Sequence, residues 1–121
     1  MKSCVFVVIM LFVSCKINQT KNNFPVRKWK YISKSGGNTD FVVAKYNRFS
    51  HEKGKWRYYY NDTLYRIEKY YYPFCVNVSY HSNGAIAEIG KSTLSHSSWK
   101  KYGVWYFFDE NNVLADSIVY E

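Results

Sequence analysis

Three cysteines, three histidines and nine carboxylates are the raw material for chemistry in this 121-residue chain, and their spacing decides what they can do. His51, His81 and His96 stand far apart. No His-x-x-x-His, Cys-x-x-Cys or paired-carboxylate spacing of the kind that holds a metal joins them, so neither metal site nor cofactor is expected. The chain has no Gly-rich phosphate loop and no Gly-x-Ser-x-Gly elbow. His96-Ser97-Ser98 reads as loop sequence, and a serine near a histidine in sequence says little about a triad. Asp109-Glu110 sits beside a turn, where carboxylates cap and solvate. Cys75, between Tyr72-Pro73-Phe74 and Val76, has the setting of a small buried hydrophobe rather than a nucleophile. The reading is a protein without a catalytic residue.

Residue types suited to recognition are plentiful. The stretch Gly54 to Tyr72 holds seven tyrosines and a tryptophan with Lys and Arg threaded between them, and the chain carries a formal charge of +8. In a strand, successive side chains point to opposite faces. From Lys55 to Tyr60 this puts Trp56, Tyr58 and Tyr60 on one face and Lys55, Arg57 and Tyr59 on the other. The first is a wall of rings that packs along the sheet, with tyrosine favoured because its ring packs while its hydroxyl stays wet. The second, exposed and basic with a ring among the charges, is the candidate surface for a partner, since Arg and Tyr are favoured interface anchors. Lys100-Lys101 beside Trp99 adds a second basic and aromatic cluster. The bland reading of both clusters is a solvated strand face beside a core, and no nucleic acid is expected.

The elements that must position these groups repeat. Gly54-Lys55-Trp56-Arg57-Tyr58-Tyr59-Tyr60 recurs as Gly103-Val104-Trp105-Tyr106-Phe107-Phe108-Asp109, and Leu64 and Val113 align at the same offset. Tyr80 to Ile89 has the turn and second half of the same unit, and Trp29-Lys30-Tyr31-Ile32 through Phe41-Val42-Val43 is a fainter copy. Four units fit a repeat architecture. Each reads as strand, turn, strand. Asn83-Gly84 is the strongest turn signal, expected as a two-residue type I′ turn with both central residues at positive φ. Asn61-Asp62-Thr63 and Asn111-Asn112 are weaker versions. Lys91 to Lys101 reads as a polar loop held down by Leu94 and Trp99, and Pro73 ends a strand or marks an edge. No helical period follows Cys15.

The pattern Gly-x-Trp-x-Tyr-Tyr, a polar or Asn-Gly turn, then a Leu/Val/Ile strand ending near a Tyr resembles the MORN-repeat-variant family, often labelled antitoxin-like. The resemblance spans Trp29 to Tyr120 and rests on Gly54, Trp56, Tyr58, Asn83, Gly84, Gly103, Trp105 and Phe107. It implies an all-β fold of consecutive antiparallel hairpins forming one elongated, twisted sheet in residues 27–121. Many members of that family are exported; with no catalytic spacing found, the expectation is a non-catalytic protein-binding or scaffolding surface, and the resemblance suggests an immunity or antitoxin-type antagonist as one form. The alternative is a lipocalin-like barrel carrying a small apolar ligand, which needs strands closed around an inward face.

The first residues place the protein. Lys2 precedes an apolar-dominated run to Ser14 that reads as an export signal and is too short to span a bilayer. Phe12-Val13-Ser14-Cys15 resembles the lipobox of bacterial lipoproteins. Residues 1–14 are then a signal peptide, Cys15 the acylated N-terminus, and 15–26 a polar tether. The expectation is a protein lipid-anchored in the cell envelope, at the outer membrane by preference, whose partner is a protein or an anionic envelope polymer. Cys75 is left alone in the mature chain, so no internal disulfide supports the fold.

Overall fold

A computed structural model describes residues 17–121; the expected signal segment and Cys15 lie outside the described residues. The described chain forms nine strands: β1 (Gln19–Lys21), β2 (Phe24–Ser35), β3 (Asn38–Tyr46), β4 (Gly54–Tyr60), β5 (Thr63–Tyr71), β6 (Phe74–Tyr80), β7 (Ile86–Ser95), β8 (Ser98–Phe108) and β9 (Leu114–Tyr120). They lie side by side in sequence order, each neighbouring pair antiparallel. β1 and β9 have one neighbour each, so the sheet is open and encloses no barrel lumen. The all-β, hairpin-by-hairpin architecture is the one expected.

Four local details differ from the sequence reading. The sheet starts before residue 27: β1 and the first residues of β2 lie within the segment read as a tether. Asn22 and Asn23, at φ 54° and 68°, form the turn between them; the β1 arm of this edge hairpin is polar and mostly exposed, so it offers no apolar alternation to read. Lys91 to Lys101 is not a loop either. β7 and β8 pair through it from Lys91↔Tyr102 to Ser95↔Ser98. His96 and Ser97, at φ 48° and 69°, take the two left-handed positions of a tight turn without the Asn or Gly that would advertise it.

The third difference is at Asn83-Gly84, where only Gly84 has positive φ. His81 and Ala85 close a three-residue loop in which Gly84 N–H donates to His81 O (2.9 Å) and His81 N–H to Ala85 O (2.8 Å). This is a type I turn followed by a left-handed residue rather than a type I′ turn. Asn47–His51 and Asp109–Val113 are built alike, with Ser50 and Asn112 in the left-handed position. Fourth, Tyr59 pairs with Leu64 and Phe108 with Leu114, so the structural counterpart of Leu64 is Leu114, not Val113. The turn before Leu114 is longer, and this displaces the alignment by one.

The repeat is more regular in space than in sequence. Gly54 and Gly103, two residues before Trp56 and Trp105, have φ of 65° and 71°, and Arg27, two before Trp29, has φ 64°. Each indole donates its Nε1–H to a carbonyl of the preceding strand: Trp29 to Gln19 (2.8 Å), Trp56 to Lys45 (3.0 Å) and Trp105 to Lys91 (2.9 Å). The returning strands β5, β7 and β9 each shift register just after their start, leaving Tyr65, Ala87 and Ala115 as the extra residues.

Register then lines up one row across the sheet: Trp29 and Ala44, Trp56, Glu68, Asn77 and Gly90, Trp105 and Ile118. The small members lie beside indoles. A Cβ on Gly90 would lie 2.1 Å from Trp105 Cδ2, so only glycine admits that ring. The core is this row and little more: Val26, Ala44, Trp56, Cys75 and Trp105 are the buried hydrophobic side chains among the described residues.

The sheet also curls. Tyr70 on β5 and Trp99 on β8 bring their rings to 5.1 Å between centroids although two strands lie between them. A flat sheet would hold those strands roughly 14 Å apart, at about 4.8 Å per step. The face carrying the tryptophans is therefore concave and the opposite face convex.

Candidate functional site

The row of indoles is interrupted in its middle. Where a tryptophan would continue the series, β6 carries Asn77, and its partner on β5 is Glu68. The register shift that leaves Tyr65 as the extra residue places Arg66, Glu68 and Tyr70 on the concave face with Trp56. Polar side chains so buried persist only when bonded, and these are. Tyr58 donates its hydroxyl to Glu68 Oε1, and Tyr70 donates to the same oxygen at 3.0 Å. Arg66 Nη2 bridges Glu68 Oε2 (2.9 Å) and Asn77 Oδ1 (3.0 Å), while Asn77 Nδ2 donates to Ser92 Oγ at 2.9 Å. The Cys75 thiol points at Asn77 Oδ1, 3.7 Å away.

Burial, reinforced by the Glu68 carboxylate, pushes the Cys75 thiol up to about 12. The Tyr58 and Tyr70 hydroxyls are held well above the ordinary phenol value, first by burial and then by Glu68. Each is thus a neutral hydrogen-bond donor at neutral pH. Above this network lies a cavity of about 170 Å³ bounded by Arg66, Tyr70, Ser92, Trp99, Lys101 and Trp105, among others. Rings continue away from it on the same face: Trp99 meets Tyr70 and Tyr72 edge-on, Tyr72 stacks on His51 at 4.1 Å, and Trp56 packs between Tyr46 and Tyr70. Lys101 Nζ sits 4.5 Å from the Trp105 ring centroid and 5.3 Å from that of Tyr120.

The residues singled out from the sequence are divided by the fold. Lys55, Arg57 and Tyr59 share the convex face, as period two requires, but Arg57 and Tyr59 are half-buried and only Lys55 is exposed. Tyr59 is drawn down by Phe41, 5.8 Å away between ring centroids. Trp99 belongs to the concave face and does not join them. The structural positions Trp56, Tyr58, Trp105 and Phe107 fall on the concave face, Gly54 and Gly103 at the bulges preceding them, and Asn83 and Gly84 in the β6–β7 turn. Asn83 ties that turn to the next, donating from Nδ2 to Glu110 O (2.9 Å), and His81 Nε2 lies 2.8 Å from Phe108 O. Among the described residues no group of three or more His, Cys, Asp or Glu side chains converges.

Sequence reasoning missed two features. One is the Arg66, Glu68, Asn77 and Ser92 network, whose signal is the appearance of charged and amide residues at alternate positions aligned with an indole row. The other is an apolar depression on the convex face lined by Val76, Ile89, Tyr102, Val104 and Tyr106, with Lys91 at its side. Phe74 and Val119 are exposed on the same face nearby. Comparison with protein-family profiles, curated proteins and solved structures found no match.

Proposed function

We propose that the chain is an exported, lipid-anchored, non-catalytic protein whose MORN-variant-like hairpins present the convex face to a protein partner. The observation that carries this reading is the apolar depression of Val76, Ile89, Tyr102, Val104 and Tyr106, which no second layer of the described chain covers. Contiguous apolar surface left open in this way marks interaction sites. Lys91 at its side, and Lys55 and Arg57 further along the same face, favour a partner whose apolar anchor is ringed by carboxylates. An antagonist that occludes an envelope-directed toxin is the form the family resemblance suggests. The barrel carrier loses its support, because β1 and β9 do not meet.

The test is cross-linking of the native protein in its envelope and identification of what is recovered. The double substitution Val104→Glu with Tyr106→Ser changes two exposed residues, so the melting temperature should hold while recovery of the partner is lost. Unchanged recovery overturns the convex face as the site. Cys15→Ser should release the protein from the membrane fraction, and a variant that fractionates as before, with no acyl mass on the wild type, removes the anchor.

A further inference from the structure

The concave face carries an inference that is independent of the convex one. Both Glu68 oxygens have donors: Oε1 accepts from Tyr58 and Tyr70, and Oε2 from Arg66. Asn77 accepts from Arg66 and donates to Ser92. Further donors lie around the cavity. Arg66 Nε is buried with no hydrogen-bond partner. The Ser92 hydroxyl oxygen accepts from Asn77, which leaves its proton to give. Lys101, paired in register with Ser92, has its ammonium over the Trp105 and Tyr120 rings, and the ion pair recorded among the described residues is Arg66 with Glu68.

The charges of Arg66, Lys101 and Glu68 leave one positive charge in excess around this space. The complement is an acceptor that carries negative charge. Trp99, Trp105 and Tyr70 wall the same space with rings, which favour a flat body over a fully hydrated one. A carboxylate suits a site bordered by a guanidinium, an ammonium and a hydroxyl, because hydrogen bonds between such cations and an anionic oxygen are the stronger ones. We propose that the cavity bounded by Arg66, Ser92, Trp99, Lys101 and Trp105 is a binding site for a small planar carboxylate. It occupies the place in the Trp29, Trp56, Trp105 row where the series lacks an indole, so the ligand's flat body takes the position the missing ring would hold.

Two indoles line the site, so tryptophan fluorescence of the full chain reports on it. Benzoate, its uncharged analogue benzamide and inorganic phosphate serve as probes. Benzoate should change the emission saturably, with benzamide and phosphate binding far more weakly. Ser92→Ala and Lys101→Met each remove one donor and should weaken benzoate roughly tenfold or more. Lys100→Met, a neighbouring lysine on the opposite face, should leave the affinity alone. Lys101 is exposed, so Lys101→Met tests the site without threatening the fold. Absence of saturable benzoate binding overturns the proposal. So does equal binding of benzamide or phosphate, or an affinity that Ser92→Ala and Lys101→Met leave unchanged. None of these results bears on the convex face, whose Val104 and Tyr106 lie on the other side of the sheet.

Discussion

Cys75 is 1% exposed, its thiol set against Asn77 and within the field of Glu68. That environment fixes a pH dependence. Below the ordinary thiol value of 9.0 both folded and unfolded chains hold the proton; from there up to about 12 the unfolded chain releases it and the folded chain retains it. Unfolding then sheds a proton, and stability falls as pH rises through this window, at a slope approaching about 1.4 kcal/mol per pH unit for the thiol. The raised Tyr58 and Tyr70 hydroxyls add the same sign above 10.0. Urea midpoints should therefore drop between about pH 8 and about pH 10.5, and Cys75→Ala should flatten the early part of the fall. A flat profile contradicts the buried, neutral thiol. The sequence made the thiol legible as a small buried group, because its neighbours are apolar. It hid the network around it, since which of Arg66, Ile67 and Glu68 faces Trp56 depends on a register shift at Tyr65 that no local composition announces.

Hairpins were readable in this chain because period two and Gly-x-Trp recur, yet the turns that set their register were read only in part. Gly36-Gly37 and Asn61-Asp62 use left-handed residues that announce themselves; His96-Ser97 and Asn22-Asn23 reach the same geometry with less typical pairs or in a polar stretch. Arg27 is the clearest case. It stands where Gly54 and Gly103 stand in later units, with φ of 64° and a Cβ that disfavours it. Arg27→Gly should raise stability by about 0.5–1 kcal/mol despite the added freedom of the unfolded chain, read as a higher urea midpoint. A lowered midpoint means the side chain contributes more than the backbone costs. The partnership of Gly90 with Trp105 yields a coupled result. Gly90→Ala alone should cost about 1–3 kcal/mol by displacing a ring that is fully buried. In a Trp105→Ala background, itself costing about 3–5 kcal/mol, Gly90→Ala should cost almost nothing more. Additive losses would show that the two do not share that space.

At the scale of the whole molecule, each described strand's backbone neighbours are the strands before and after it in sequence, and among the described residues no pairing skips one. Stability in such an arrangement is close to a sum of hairpins and the interfaces between them, with side chains such as Tyr70 and Trp99 supplying the contacts that skip a strand. This is why the global architecture could be read from repeats while the curl could not: curvature is set by rings meeting over intervening strands, and those meetings are remote in sequence.

Laying the strands down in order also decides how the protein answers force. Ile17 and Glu121 leave from opposite edges of the sheet, so tension between them acts across the strands rather than along them. Ladder hydrogen bonds are then loaded one after another, as in opening a zip, instead of sharing the load in shear. Pulling single molecules by these ends should give a low, stepped extension that peels hairpins in turn, with ready recovery on release because each hairpin re-forms from adjacent sequence. One tall rupture peak would show that the concave face, not the ladder, bears the load. A domain of this kind behaves under drag as a compliant spring, yielding hairpin by hairpin rather than snapping as a unit.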